Sequence, residues 1–135
     1  MHSIDFEYST YAGKKVPLIP LNIKSKDKWY EIWAFVDSGA TYSVFKAKEA
    51  ERLDIDIYSG KEIMVIVGDG SFIPVYFRNV TLMIGELEFL AEVGFSERLG
   101  VGFNLLGRKD IFEIFKVCFS DKKGIISFFK EVQDA

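Results

Sequence analysis

The stretch FVDSGATYSVF, residues 35–45, decides how this chain is read. It follows WYEIWA, so a run from Trp29 to Val36, rich in aromatic and branched side chains and interrupted only by Glu31, leads straight into Asp37. Such a run is a strand with a buried face. The strand ends in Asp-Ser-Gly, which places an ionisable group and a tight turn beside apolar flanks. Gly39 is expected to allow a turn that a side chain would obstruct, and Ser38 brings a hydroxyl that bonds neighbouring backbone. Two readings are open on the triplet alone. Asp37 caps a turn or helix, as Asp does in most such triplets, or the rigid strand end presents a carboxylate for chemistry.

The neighbouring segments extend the β pattern. Upstream, VPLIPLNI is extended, because Pro17 and Pro20 exclude a helix interior, and KSKDK is a solvated turn. Downstream, FKAKEAERLDI changes character and is expected as a short helix with Ala47, Ala50, Leu53 and Ile55 on one face. KEIMVIV and FIPVYF flank the turn GDGS as two arms of a hairpin, and NVTLMIGELEFLAEVGF repeats the pattern with a bend at Gly85-Glu86. RKDIFEIF is expected as a second short helix, and KVCFSDKKGIISFF as a last hairpin turning over Ser120 to Gly124. Gly100 and Gly102 lack the strand–loop–helix context of a phosphate-binding loop and are expected as turn glycines. Residues 1–14 are expected as an arm, and residues 15–130 as one domain.

Composition bounds the function. The chain has 135 residues, enough for a single core, with 49% hydrophobic and 27% charged side chains, the balance of a folded protein. Its 17 basic and 20 acidic side chains are mixed along the chain, with no basic stripe, so no nucleic-acid partner is expected. Apolar stretches stop well short of the roughly 18 residues a bilayer span requires, and MHSIDFEYST lacks the pattern of a signal peptide. A cytoplasmic protein without membrane partners is the expectation. Cys118 is the one cysteine and His2 the one histidine, so neither a disulfide nor a thiolate metal cluster is expected within the chain. Cys118 is expected as a small core residue.

AFVDSGATYSVF resembles the active-site motif of retropepsin-like aspartic proteases: apolar residues, Asp, Ser or Thr, Gly, Ala, a short spacer and an apolar position. The second signature of that family, two apolar residues followed by Gly and often Arg, is matched by Leu105, Leu106, Gly107 and Arg108 in FNLLGRKDIFEIF. Between them VIVGDGSFIPV looks like the glycine-tipped flap that closes over substrate. The ordered matches cover most of residues 16 to 119.

The resemblance implies a mostly β, closed-barrel acid-protease lobe with one or two short helices. It implies an aspartic endopeptidase without cofactor or metal, acting on peptides or unfolded protein. The catalytic loop would be Asp37, Ser38 and Gly39, with Ser38 tying two such loops together. Ala40, Val44 and the flap residues Val67, Gly68, Asp69 and Gly70 would contact substrate, and Leu105, Leu106, Gly107 and Arg108 would support the site. One triplet per chain implies a homodimer with one Asp37 from each subunit. The alternatives are a non-catalytic peptide-binding or dimerisation module of the same fold, and a monomer whose turn is only structural. Thr41 stands where retroviral enzymes carry a second Asp for the signature Arg, which leaves Arg108 without that partner. Two Asp69 groups at a dimer axis would repel, closing flaps less readily at neutral pH than in acid. GIISFF is expected either to pair across the axis or to fold back as an edge strand.

Overall fold

Period-two alternation turns most of the chain into strands. The computed structural model describes residues 2–131. In chain order the elements are β1 (Ser3–Glu7), β2 (Ser9–Tyr11), β3 (Lys14–Val16), β4 (Leu18–Ser25), β5 (Lys28–Val36) and β6 (Ser43–Lys46). Helix α1 (Ala47–Arg52) and a 3-10 turn (Ile57–Ser59) lead to β7 (Lys61–Ile66), β8 (Phe72–Ile84), β9 (Leu87–Ser96), β10 (Asn104–Leu106), β11 (Phe115–Ser120) and β12 (Ile125–Lys130).

The β4–β5 hairpin shows how sequence becomes register. Lys26 and Asp27 form its two-residue turn with φ of +51° and +64°, the double left-handed geometry that matches strand twist. From that turn, Ile19, Leu21 and Ile23 of β4 and Ile32, Ala34 and Val36 of β5 all point into the core. A one-residue slip would expose the whole set, so the register is fixed by burial as well as by the turn.

These strands join a seven-stranded sheet in the order β4-β5-β10-β6-β9-β8-β7, and a further β4–β8 pairing through Asn22 and Ile23 turns the sheet back on itself. That pairing covers β4, which would otherwise be an open edge. The curved interior holds the main core, in which Phe45, Phe95, Phe115 and Phe128 are fully buried. Each such side chain contributes about 1.5–3 kcal/mol by leaving water. Helix α1 lies against this core through Ala50 and Leu53, with Ala47 and Ile55 beside them, as its spacing predicts.

β10 is short but decides the site. It lies parallel to β5, pairing Leu106 with Val36, and antiparallel to β6, pairing Leu105 with Val44. The segment between β5 and β6 therefore has to pass around the end of β10, and that segment begins with Asp37.

The chain ends form a separate three-stranded sheet in the order β1-β12-β11. GIISFF folds back, and it becomes the middle strand rather than an edge. Part of the stretch expected as an arm is built into this sheet, since Ile4 and Phe6 of β1 pack on the core and Tyr8 is buried. The Tyr8 hydroxyl donates to Asp121 Oδ1 at 2.7 Å, and burial together with that carboxylate pushes its pKa up to about 12. Two expectations fail here. RKDIFEIF forms successive turns rather than a helix, because Asp110 adopts a φ of +66° and interrupts the helical path. Cys118 is exposed: β11 turns Phe115 and Val117 inward, so the alternating positions Lys116 and Cys118 face out. Among the described residues, no helix is long and apolar enough to cross a membrane.

Candidate active site

Asp37 is held by the strand that precedes it and by the strand threaded beside it. Its backbone N–H donates to Leu106 O at 3.0 Å, continuing the β5–β10 ladder by one residue. The next residues of that second strand each bond to the same loop. Gly107 N donates to Ser43 Oγ at 2.9 Å, Arg108 N to Ala40 O at 2.9 Å, and Lys109 N to Thr41 O at 2.9 Å. The loop is thereby clamped along residues 37 to 43 by residues 106 to 109.

Gly107 is required by close approach. A Cβ there would stand 2.3 Å from Tyr42 O and 2.8 Å from Ala40 O, and backbone oxygens cannot move aside as a side chain could. Gly39 has a different reason from the one expected. Its φ lies outside the left-handed region, and a Cβ there would sit 3.3 Å from Asp37 Oδ1. The Gly39 N–H instead donates to that oxygen at 2.9 Å, which aims the carboxylate.

The half-buried Asp37 lines a cleft of about 650 Å³ together with Gly39, Ala40 and Val44. Val67 and Gly68 of the β7–β8 hairpin line the opposite wall, and Leu105 closes the floor. Ser38, Asp69 and Gly70 do not line it: Ser38 is exposed beside the loop, and Asp69 and Gly70 form the outer tip of the hairpin. Leu106 and Gly107 are buried behind the loop, and Arg108 is exposed, so the desolvation cost of a buried unpaired guanidinium does not arise. Where retroviral enzymes would join Arg to Asp, backbone bonds from Arg108 and Lys109 join the two segments.

The hairpin is self-contained at its tip. Val67 N donates to Ser71 O and Gly70 N to Val67 O, both at 2.9 Å. Asp69 Oδ1 accepts from Ser71 N at 2.9 Å and from Ser71 Oγ at 2.5 Å, and these bonds hold the Asp69 carboxyl below the usual range. Relief of charge at the tip is therefore displaced toward more acidic pH. Toward the cleft, Ile63, Val65 and Val67 pack over a second small core of Val44, Ile73, Val75, Phe77 and Leu99.

Several residues that shape the site escaped the sequence reading. Ser43 is fully buried at the start of β6, and the clue is a small hydroxyl directly ahead of the apolar pair Val44 and Phe45. Asn104 is buried too; its Oδ1 accepts from Lys46 N at 2.8 Å, while its Nδ2 donates to Trp33 O at 2.9 Å and to Glu49 Oε2 at 2.8 Å. It thus fastens β10 to β5, β6 and α1 together. Phe35, Phe103, Leu99 and Val101 also line the cleft, with Phe35 and Phe103 stacked at 4.9 Å between ring centres. Tyr11 meets Phe103 edge-on at 5.0 Å, so the β2–β3 hairpin supports that wall. Among the described residues, no set of His, Cys, Asp and Glu side chains is grouped to hold a metal ion.

A family model described as aspartyl protease matches residues 19–107, from the inward face of β4 through the glycine that the Asp37 loop encloses. The chain belongs to the aspartyl protease family. Within it, the fold is retropepsin-like. A retropepsin-like aspartic protease from Rickettsia conorii superposes with a TM-score of 0.68 at 18% identity, covering 94% of this chain and 90% of that one. The EIAV protease, complexed with the inhibitor HBY-793, gives 0.55 at 22% identity, covering 78% and 92% respectively. No curated protein matches by sequence. The expected fold class, mostly β with a short helix, is the one observed. The matched span takes in both the strand-borne Asp37 loop and the enclosed Leu105-Leu106-Gly107.

Proposed function

We propose that this aspartyl protease chain is an endopeptidase active as a homodimer, with Asp37 of each subunit forming one catalytic pair. The observation that carries the proposal is a carboxylate held by backbone bonds at a mostly apolar cleft of about 650 Å³. One chain supplies one such group, and the reaction needs two. A pair of carboxylates brought together does not ionise twice at low cost, so the pair holds one proton between them, as in aspartic proteases generally. The ionised member takes a proton from a water placed between them, and the water oxygen attacks the scissile carbonyl carbon. The protonated member donates to the carbonyl oxygen. Collapse of the resulting tetrahedral species breaks the C–N bond as the amine nitrogen takes up a proton.

The other roles follow from position. Gly39 and Ala40 present backbone to the peptide, Val44 and Leu105 meet its side chains from below, and Val67 and Gly68 of the flap cover it by strand-like pairing. In this reading Ser38, exposed at the loop, meets the partner's loop rather than the substrate. Gly107 and the buried Ser43 act by positioning Asp37.

The deciding experiment is hydrolysis of an unfolded protein near about pH 5, within the range set by coupled carboxylates, with Asp37→Asn as control. We expect cleavage by the parent chain to fall about 10²–10⁴-fold in the variant, the usual worth of a positioned acid–base group. Equal turnover by both would overturn the proposal, and peptide binding with no turnover by either would favour the non-catalytic peptide-binding module.

A further inference from the structure

The β2–β3 hairpin lies ahead of residue 19, where the family match begins. Its turn is Ala12-Gly13, with φ of +52° and +79°, the double left-handed geometry of a tight two-residue loop. Both roots of the hairpin are fastened. Ahead of it, the N–H of the buried Tyr8 donates to Gly124 O at 2.7 Å; behind it, Pro17 O accepts from Val36 N at 2.9 Å, one residue before Asp37. The hairpin is a short arm with a fixed base, and Tyr11, the last residue of β2, stands at its tip.

Tyr11 reaches the cleft through one ring. Its own ring stands perpendicular to Phe103 at 5.0 Å between centres, and Phe103 stacks on Phe35; both phenylalanines line the cleft, and Tyr11 does not. Phe103 also lines a second hollow of about 410 Å³, which it shares with Tyr11, Leu18 and Trp33 and which neither Phe35 nor Asp37 lines. Phe103 is therefore a partition between two cavities. The backbone on either side of it is tied down, by Lys46 Nζ donating to Gly102 O at 3.2 Å and by the buried side-chain bonds of Asn104. What remains to fix the ring is its packing against Phe35 and Tyr11.

Gly102 makes space for this contact. A Cβ there would stand 1.9 Å from the Tyr11 hydroxyl oxygen and 3.2 Å from the ring carbon that bears it. Its φ lies outside the left-handed region, so alanine suits the backbone and collides only with Tyr11.

We propose that Tyr11 is a positioning residue for substrate selection: by holding Phe103 against Phe35, it limits the size of the peptide side chain that the cleft accepts at this wall. This role rests on reading the cleft as a peptide site. Without Tyr11 the Phe103 ring leans into the second hollow and the cleft widens. The mark of Tyr11 is a preference for aliphatic over large aromatic side chains at the one peptide position that meets Phe103.

The test uses the full chain and pairs of unstructured peptides that differ by valine or tryptophan at one position. Cleavage of each pair in competition gives a ratio of kcat/KM values. Tyr11→Ala is expected to shift that ratio toward tryptophan at one position by about tenfold, the low end of what a methylene-sized change in an apolar pocket is worth. Tyr11→Phe keeps the ring and is expected to keep the parent's ratio. Gly102→Ala displaces the hydroxyl and is expected to shift the ratio as Tyr11→Ala does, and adding Tyr11→Phe to it restores the parent's preference. Should Tyr11→Ala not fold, the Gly102→Ala pair carries the test. A purely structural role would lower turnover of both peptides together and leave every ratio unchanged. Unchanged ratios, or a Gly102→Ala shift that Tyr11→Phe does not relieve, overturn the proposal. If the parent cuts no peptide, the protease reading falls, and the same pairs are compared by their dissociation constants in fluorescence anisotropy. A tenfold shift in that ratio keeps Tyr11 as the gauge of a binding cleft; an unchanged ratio, or no binding, overturns it as well.

Discussion

The two walls of the cleft are built on opposite principles. The Asp37 wall is fastened from outside itself: residues 106 to 109 bond to it, Ser43 is buried beneath it, and Gly107 leaves no room for a methyl group. The β7–β8 wall is fastened to itself, through Val67, Asp69 and Ser71, and its tip is exposed. Long-range bonds between segments far apart in sequence hold the loop that carries the carboxylate. Local bonds within a turn keep a hairpin's shape without tying its tip to the rest of the fold. Positioning and access are thereby divided between two kinds of hydrogen bond, those that cross the fold and those that do not.

The same substitution in each wall tests this contrast most strongly. Gly107→Ala is expected to destabilise the chain by about 3 kcal/mol, the upper range for overpacking, because the new methyl meets backbone oxygens. At Gly68 a Cβ meets nothing within 4 Å. Gly68→Ala is therefore expected within about 0.5 kcal/mol of the parent. Urea unfolding of both variants decides, and equal losses would break the contrast. Ser43→Ala comes next. It leaves the buried Gly107 N–H without its acceptor, at a cost of about 1–3 kcal/mol, and loosens the Asp37 loop. Peptide turnover is expected to fall with little change in KM. A KM effect alone would show that Ser43 serves binding rather than the position of Asp37.

Asp69→Asn is expected to have the smallest effect and to be visible only through pH. Bonds from Ser71 hold the folded carboxyl below its ordinary value of 3.8. Its contribution to stability is thus present above that ordinary value and lost as pH falls through the lowered one. The difference between parent and variant in urea unfolding should be present at neutral pH and shrink in strong acid. A difference that grew in acid would reverse the sign. In turnover by the proposed dimer, the variant should gain most at neutral pH, where the parent would carry charge at the β7–β8 tip of each subunit; superimposable pH profiles would remove that role for Asp69.

Much of this was legible along the chain. The arms around Gly68 and Gly70, the bend at Gly85-Glu86 and the solvated turn KSKDK carry their own local signals, so hairpins followed from short-range chemistry. Helix α1 was legible for the same reason. RKDIFEIF misled because its composition favours a helix, whereas Asp110 takes a left-handed φ and its Oδ2 accepts from Glu92 N–H at 2.8 Å. That bond spans 18 residues, and no local pattern announces it. Cys118 misled because a strand's inward parity is set by its neighbours across the sheet, not by its own residue types.

The sequence by itself determined the local elements and the family motifs, because turn chemistry, alternation and the Asp-Ser-Gly and Leu-Leu-Gly spacings act over a few residues. Only the tertiary structure decided that β10 threads beside β5 to enclose Gly107, that Ser43 and Asn104 are buried bonding partners, and that β12 fills the centre of its own terminal sheet. Those are contacts between distant segments, and a distant contact is settled by competition among all the surfaces that could be buried.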